Sequence, residues 1–266
     1  MPEHTRAKKS LGQNFLTCQW VISDIINTAR LSPMDTVLEI GPGTGVLTRP
    51  IAAHVKKVIA IEKDENLARI LARELLSEGI TNVTILEGDI LTHKISLPTT
   101  YKIVANIPYY LTARLLRLFL EEQEKKPSSM VLTIQKEVAQ RIISKPPREN
   151  LLALSVQIFG TPNIIAIIPA SCFTPQPNVD SALISISDIS NSFFTSHHIK
   201  KDLLFRLLHL AFSQKRKMLT NTLHDIASKK NIESSLQDMG LSPHARPQEL
   251  DKEQWALLTA VIQKLS

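Results

Sequence analysis

Short apolar runs alternate with segments of helical period through the first two thirds of the chain. The runs are Thr36 to Ile40, Lys57 to Ile61, Val83 to Glu87, Lys102 to Ala105, Met130 to Ile134, Ile164 to Ile168 and Ala182 to Ile186. Between most of them the pattern predicts helices over Trp20 to Ala29, Val46 to Ala53, Glu65 to Leu76, Ala113 to Glu122 and Lys136 to Ser144. Such alternation predicts βαβ units and a seven-stranded, mostly parallel sheet. The last two strands flank a Pro-rich loop and are expected to pair antiparallel. Past Asp188 the character changes, because Ser190 to His198 is polar with little periodicity and the remainder reads as helical. Leu203, Leu204, Leu207, Leu208 and Ala211 fall on one helix face. Further helices are predicted over Met218 to Ser228, Ile232 to Met239 and Lys252 to Lys264, the second ended by Gly240. The expected division is a catalytic domain over residues 1–189 and a helical domain over residues 190–266.

Composition narrows the class. With 266 residues and 43% hydrophobic content the chain can bury a sizeable core. A formal net charge of +6 favours a polyanionic partner, although a solvated basic surface explains the same number. The longest apolar stretch, Ile164 to Ile168, is too short to span a bilayer, and Arg6, Lys8 and Lys9 are followed by no apolar run. No export or anchoring segment is therefore expected. Cys18 and Cys172 are too few for a disulfide framework and lack metal-ligand spacing, so both are read as passive thiols in a reducing cytoplasm. The eight histidines form no spaced ligand set, and no metal is expected.

Candidate chemistry gathers at strand ends. The first run leads into Gly41-Pro42-Gly43-Thr44-Gly45, spaced G-x-G-x-G rather than the G-x-G-x-x-G of dinucleotide sites. Gly41 and Gly43 permit a tight turn and close approach of backbone to a ligand. Glu39, just ahead of the loop, would repel a pyrophosphate but suits the ammonium and sulfonium of S-adenosylmethionine. Glu62 ends the second strand, where an acid can accept bonds from ribose hydroxyls; its alternative is a helix N-cap region with Lys63, Asp64 and Glu65. Gly88-Asp89 ends the third, where Asp89 either takes an adenine amino group or caps a helix. Asn106-Ile107-Pro108-Tyr109 ends the fourth. The Asn106 side-chain oxygen and the Ile107 carbonyl can accept the two N–H groups of a planar exocyclic amine and aim its lone pair. Tyr109 offers a stacking face. Phe173, in the loop Phe173 to Ser181, is either a core residue or a second stacking wall.

These residues closely resemble the KsgA-type ribosomal RNA adenine dimethyltransferases, relatives of the Erm methyltransferases. The similarity runs through Lys9-Ser10-Leu11-Gly12-Gln13-Asn14-Phe15-Leu16, the glycine loop, Glu62, Asp89 and Asn106 to Tyr109. It continues through Gln135 to Ala139 with Arg141, Phe173 to Ser181, and Ala211 to Lys217 leading to Asn221. The resemblance implies a Rossmann-like class I methyltransferase fold with a small all-helical C-terminal domain. It implies dimethylation of N6 on two adjacent adenosines in the 3′-terminal hairpin loop of small-subunit ribosomal RNA, within an immature small ribosomal subunit; a monomer is expected, although the sequence leaves the oligomeric state open. By the same resemblance Asn14, Leu16, Gly41, Glu62, Asp89 and Asn106 bind S-adenosylmethionine, Tyr109 and Phe173 hold the base, and Arg216 and Lys217 lie on RNA phosphates. The family often has a Tyr-Gly pair ahead of Leu154-Ser155-Val156, where this chain has Asn150 to Ala153.

From Asn191 onward there are 11 Lys or Arg against 7 Asp or Glu, so most of the excess charge sits in the helical part. Three rival readings remain: an Erm-like large-subunit target, a non-catalytic nucleic-acid-binding factor on the same fold, and an NAD-dependent oxidoreductase. The intact turn at Asn106 to Tyr109 speaks against the second, and Glu39 with the glycine spacing against the third.

Overall fold

The computed structural model describes Lys8, residues 11–93 and residues 95–265. Lys9 and Ser10 of the N-terminal motif, with Arg6, lie outside the described residues. Seven strands form one sheet in the order β4-β3-β2-β5-β6-β9-β7: β2 Thr36–Ile40, β3 Lys57–Glu62, β4 Val83–Glu87, β5 Lys102–Asn106, β6 Ser129–Gln135, β7 Thr161–Ile168 and β9 Ser181–Ser187. The pairs β2–β3, β3–β4, β2–β5 and β5–β6 are parallel. Strand β9 runs antiparallel to both β6 and β7.

Side-chain chemistry explains this order. Val37, Val58, Ile103, Val104 and Met130 are fully buried, as the inner strands of a sheet covered on both faces require. At the edge, β7 alternates exposed and covered positions, carries Pro162 and breaks register between Ile164 and Ala166, features that discourage pairing with another chain. Helix α1 Gln19–Ala29 precedes the sheet, and the crossover helices include α2 Thr48–Ala52, α3 Glu65–Ser77 and α4 Thr112–Arg117. Asp64 caps α3 by accepting from Asn66 N, and Leu67, Ala68, Leu71 and Leu75 form its buried face. Beyond α4 the helix widens into a π segment over Leu118–Glu122.

One element has no counterpart in the sequence pattern. Strand β1 Phe15–Leu16 pairs antiparallel with β8 Phe173–Thr174, making a two-stranded ribbon apart from the main sheet. Beside it, the Thr17 amide and hydroxyl both donate to the Cys172 carbonyl, at 2.9 and 3.0 Å. Cys18 and Cys172 are joined by a disulfide across a Cα separation of 5.0 Å. The expectation of two passive thiols is thus corrected. The ribbon brings together two positions 154 residues apart, a proximity that sequence spacing does not encode.

By contacts the chain divides into two compact units, residues 1–140 with 161–189 and residues 141–160 with 190–266. The first holds the sheet. The second comprises α6 Leu151–Gln157, α7 Ser192–Ser196, α8 Lys201–Ser213, α9 Leu219–Thr222, α10 Lys229–Asp238 and α11 Lys252–Leu265, with the end of α5 Lys136–Ile142 leading in. Phe159 packs on Phe194 and Phe205, and Trp255 is fully buried. Asn150, at the departure from the family pattern, caps α6 by accepting from Ala153 N at 3.1 Å. The helix expected over Met218 to Ser228 is a single turn; past it the His224 ring bonds to the Asn221 carbonyl and Ile226 N donates to Leu223 O, a tighter i to i+3 turn. Ser228 instead caps α10 through Asn231 N.

Titration of denatured protein without reductant should find neither of the two cysteines free, and both after reduction. Two free thiols at the outset would mean that hydrogen bonds alone hold the ribbon.

Candidate active site

The chain runs from β2 outward to β3 and β4, then returns to lay β5 on the other side of β2. Where the order reverses, the loops after adjacent parallel strands part and leave a crevice at their C-terminal ends. All the strand-end residues singled out from sequence flank this point. The resulting cleft has an empty volume of about 770 Å³, mouth included. Asn14, Gly41, Gly43, Glu62, Asp89, Asn106, Ile107, Tyr109 and Phe173 all line it.

On the glycine side, Gly41 and Gly43 have φ of +66° and +56°, a region that side chains disfavour. A Cβ at Gly43 would sit 3.0 Å from the Phe15 ring, so the lack of a side chain lets β1 lie against the loop. At Gly41 a Cβ would meet nothing within 4 Å, which leaves open space beside the main chain. Glu62 Oε2 accepts from Gly43 N at 3.0 Å and Oε1 accepts from Asp64 N at 2.9 Å, so this carboxylate ties the glycine loop to the start of α3. Burial raises the Glu62 pKa. Asp89 behaves oppositely: the Lys63 ammonium, 2.9 Å from Oδ2, holds its carboxyl below the ordinary range, while Oδ1 accepts from Leu91 N. Asp89 thus caps the following turn and lines the cleft.

Two expected cofactor ligands are displaced from the wall. Glu39 is 1% exposed and lies beneath the loop, with burial pushing its pKa to about 8 and the Glu62 charge adding to the shift. Thr48 stands close enough to oppose that shift without completing a hydrogen bond, and Glu39 Oε2 has no partner among the described residues. Burial thus disfavours the anionic form of Glu39. The Leu16 side chain is buried in the apolar core with Val21, Val37 and Phe173, not in the cleft.

The opposite wall is built from β5. Asn106 Nδ2 donates to the Asn14 carbonyl at 2.9 Å. Only the amide nitrogen can donate to a carbonyl, so this bond fixes which way the side chain points and leaves Oδ1 as the acceptor. Ile107 N donates to Thr133 O at 3.2 Å, and Leu111 N to Pro108 O at 2.9 Å, pinning the turn at both ends. Tyr109 begins a short 3₁₀ turn, and its hydroxyl lies 2.8 Å from Ser181 Oγ. Phe173 is 3% exposed yet lines the cleft, so it is a core residue and a wall at once.

Sequence reasoning missed Phe15, Lys63 and Tyr110, all of which line the cleft. Tyr110 is 57% exposed, and that exposure of a second aromatic next to Tyr109 follows from the turn rather than from any pattern. Arg216 and Lys217 are exposed in the turn between α8 and α9 of the second unit.

The buried acid has a testable signature. Unfolded chain loses the Glu39 proton above about 4.5, whereas the native state keeps it to about 8, so between these values the native state binds more protons. Stability should therefore fall as pH rises through this window, with a limiting slope of about 1.4 kcal/mol per pH unit. Glu39→Gln should flatten denaturant midpoints measured across that range, and an unaltered slope would show that Glu39 is ionised in the native state.

The profile of the family described as ribosomal RNA adenine dimethylase matches residues 4–264. A ribosomal RNA small subunit methyltransferase A from Dehalococcoides mccartyi is 37% identical over 262 residues, covering 96% of this chain and 88% of the relative. One from Enterococcus faecalis is 35% identical over 272 residues, covering 97% and 90%. Among solved structures, a dimethyladenosine transferase from Plasmodium falciparum superposes with TM-score 0.81 at 26% identity, covering 94% of this chain and 98% of that one. The 23S rRNA methyltransferase ErmE superposes with TM-score 0.76 at 26% identity, covering 94% and 100%. With a match over nearly its whole length and its parallel-sheet crevice intact, the chain belongs to the ribosomal RNA adenine dimethylase family.

Proposed function

We propose that this protein transfers methyl groups from S-adenosylmethionine to N6 of two adjacent adenosines in the 3′-terminal hairpin loop of small-subunit ribosomal RNA, four methyls in all, during ribosome assembly in the cytoplasm. The observation that carries the reading is the Asn106 amide, oriented by the Asn14 carbonyl so that its oxygen is an acceptor at the cleft. Curated relatives named for the small subunit, 34% to 38% identical, favour that target over the large-subunit one suggested by ErmE.

The donor, when bound, supplies an electrophilic methyl group on a sulfonium. The residues present fit such a group: open space beside Gly41 admits a ligand against main chain, and acids stand at the ends of β3 and β4. Glu62 would accept from ribose hydroxyls with the lone pairs left by Gly43 N and Asp64 N, and Asp89 from the adenine amino group beside Lys63. Asn14 would close that end. Leu16, with its side chain in the core, would contribute through main chain, and Glu39 would act through the loop above it.

An adenine N6 lone pair is delocalised into the ring. Acceptance of its two N–H groups by Asn106 Oδ1 and the Ile107 carbonyl would draw the nitrogen toward tetrahedral geometry and direct the lone pair. Tyr109 and Phe173 would clamp the ring; burial raises the Tyr109 pKa, with the Asp180 charge adding to it, so this phenol stays neutral and is no proton acceptor. No strong base is required, because the amine becomes acidic only as it is alkylated. Alignment would then account for most of the acceleration, with roughly 7 to 11 kcal/mol available in well-oriented cases. A paired adenine cannot reach the cleft, so the target is flipped or already unpaired.

The direct test is to incubate the protein with labelled S-adenosylmethionine and immature small subunits and to map modified nucleosides by mass spectrometry. A dimethylated adenosine pair is expected; methyl groups confined to large-subunit RNA would overturn the assignment. Asn106→Ala should keep cofactor affinity within a few-fold while cutting transfer by at least about 100-fold, the scale of removing one aligned polar group from a reacting centre. Near-normal turnover would remove Asn106 from its role. Charge removal at Arg216 and Lys217 should lower the slope of log affinity for RNA against log salt by about 0.7 to 0.9 for each phosphate no longer neutralised. An unchanged slope would move the RNA surface elsewhere.

A further inference from the structure

We infer that Ser181 is a positioning residue for the base-holding ring of Tyr109. The inference rests on the proposed reading of the cleft and extends it to a side chain outside its wall. Ser181 is fully buried, opens β9, and is in register with Gln135 of β6 on one side and Ile168 of β7 on the other. Its hydroxyl is therefore carried by a backbone fixed between two strands. Tyr109 has no such support. It starts a three-residue 3₁₀ turn, and its ring is linked to the turn by two rotatable bonds. The 2.8 Å contact between Tyr109 Oη and Ser181 Oγ anchors the far end of the ring and so holds the first rotation, the one that would swing the ring across the cleft.

The same contact settles what the ring offers a base. With its hydroxyl committed to Ser181, Tyr109 presents carbon to the cleft, and polar recognition is left to Asn106 and Ile107. A swinging phenol would instead compete for the base edge and spoil the orientation on which transfer depends. The sheet helps to hold the anchor in place. Asp180 Oδ1 accepts from Ala170 N at 3.2 Å and the Asp180 carbonyl accepts from Lys136 N at 3.1 Å, so the residue before Ser181 is tied to both neighbouring segments.

The test is a double-mutant cycle on the full-length protein with Ser181→Ala and Tyr109→Phe, reading the rate of methyl transfer to immature small subunits. Tyr109→Phe breaks the contact from the cleft side while keeping the ring, and so remains informative should Ser181→Ala fold poorly. Each single variant should lose about three- to tenfold, the range for one intramolecular hydrogen bond. The double variant should be no slower than the slower single, with S-adenosylmethionine affinity by calorimetry unchanged throughout. Losses that multiply in the double variant, or a Tyr109→Phe enzyme of full activity, would overturn the inference. Tyr109→Ala separates this from failure of the wider reading: undiminished transfer there removes the base pocket itself, whereas collapsed transfer with a multiplicative cycle removes only the role of Ser181.

Discussion

The reversal of strand order between β2 and β5 is the constraint on which the site depends. Parallel strands deliver all their C-terminal ends to one edge of the sheet, and only at a reversal do the following loops diverge enough to leave a crevice. Gly41, Glu62, Asp89 and Asn106 come from four different strand ends and meet for that reason alone. The buried strands beneath them, with Val37, Val58 and Ile103 fully enclosed, make the edge rigid. Main-chain bonds then finish the positioning, through Gly43 N to Glu62 on one side and Ile107 N to Thr133 on the other.

Three acids near the loop differ through environment rather than identity. Burial raises the Glu39 pKa to about 8, burial also raises that of Glu62 against the two main-chain amides it accepts from, and the Lys63 ammonium makes Asp89 more acidic than usual. Lys63 helps to set that pattern, and its placement beside Asp89 rather than its sequence neighbours Glu62 and Asp64 gives it this function.

Much of this is legible from residue order. Strands β2 and β4 have the boundaries expected from their apolar runs, because parallel strands are short and bounded by turn residues. The cleft residues are legible because each follows directly on such a run. What escapes are features made by distant pairing. The β1–β8 ribbon has two residues per strand, too few for any periodicity, and the Cys18–Cys172 bond depends on it. The inward placement of Leu16 and the raised pKa of Glu39 follow from burial, which a motif does not state. The turn after Leu219 reads from sequence as a longer helix because its apolar spacing continues past the point where α9 ends.

The ribbon has a mechanical consequence. Asn14 leads into one of its strands and Phe173 begins the other, so the latch over the proposed donor end and the wall of the proposed base end are a single piece, riveted at Cys18 and Cys172. The Asn14 carbonyl, the Asn106 amide that donates to it and Phe173 therefore share one frame, and a shift of the ribbon would be felt at both walls of the cleft.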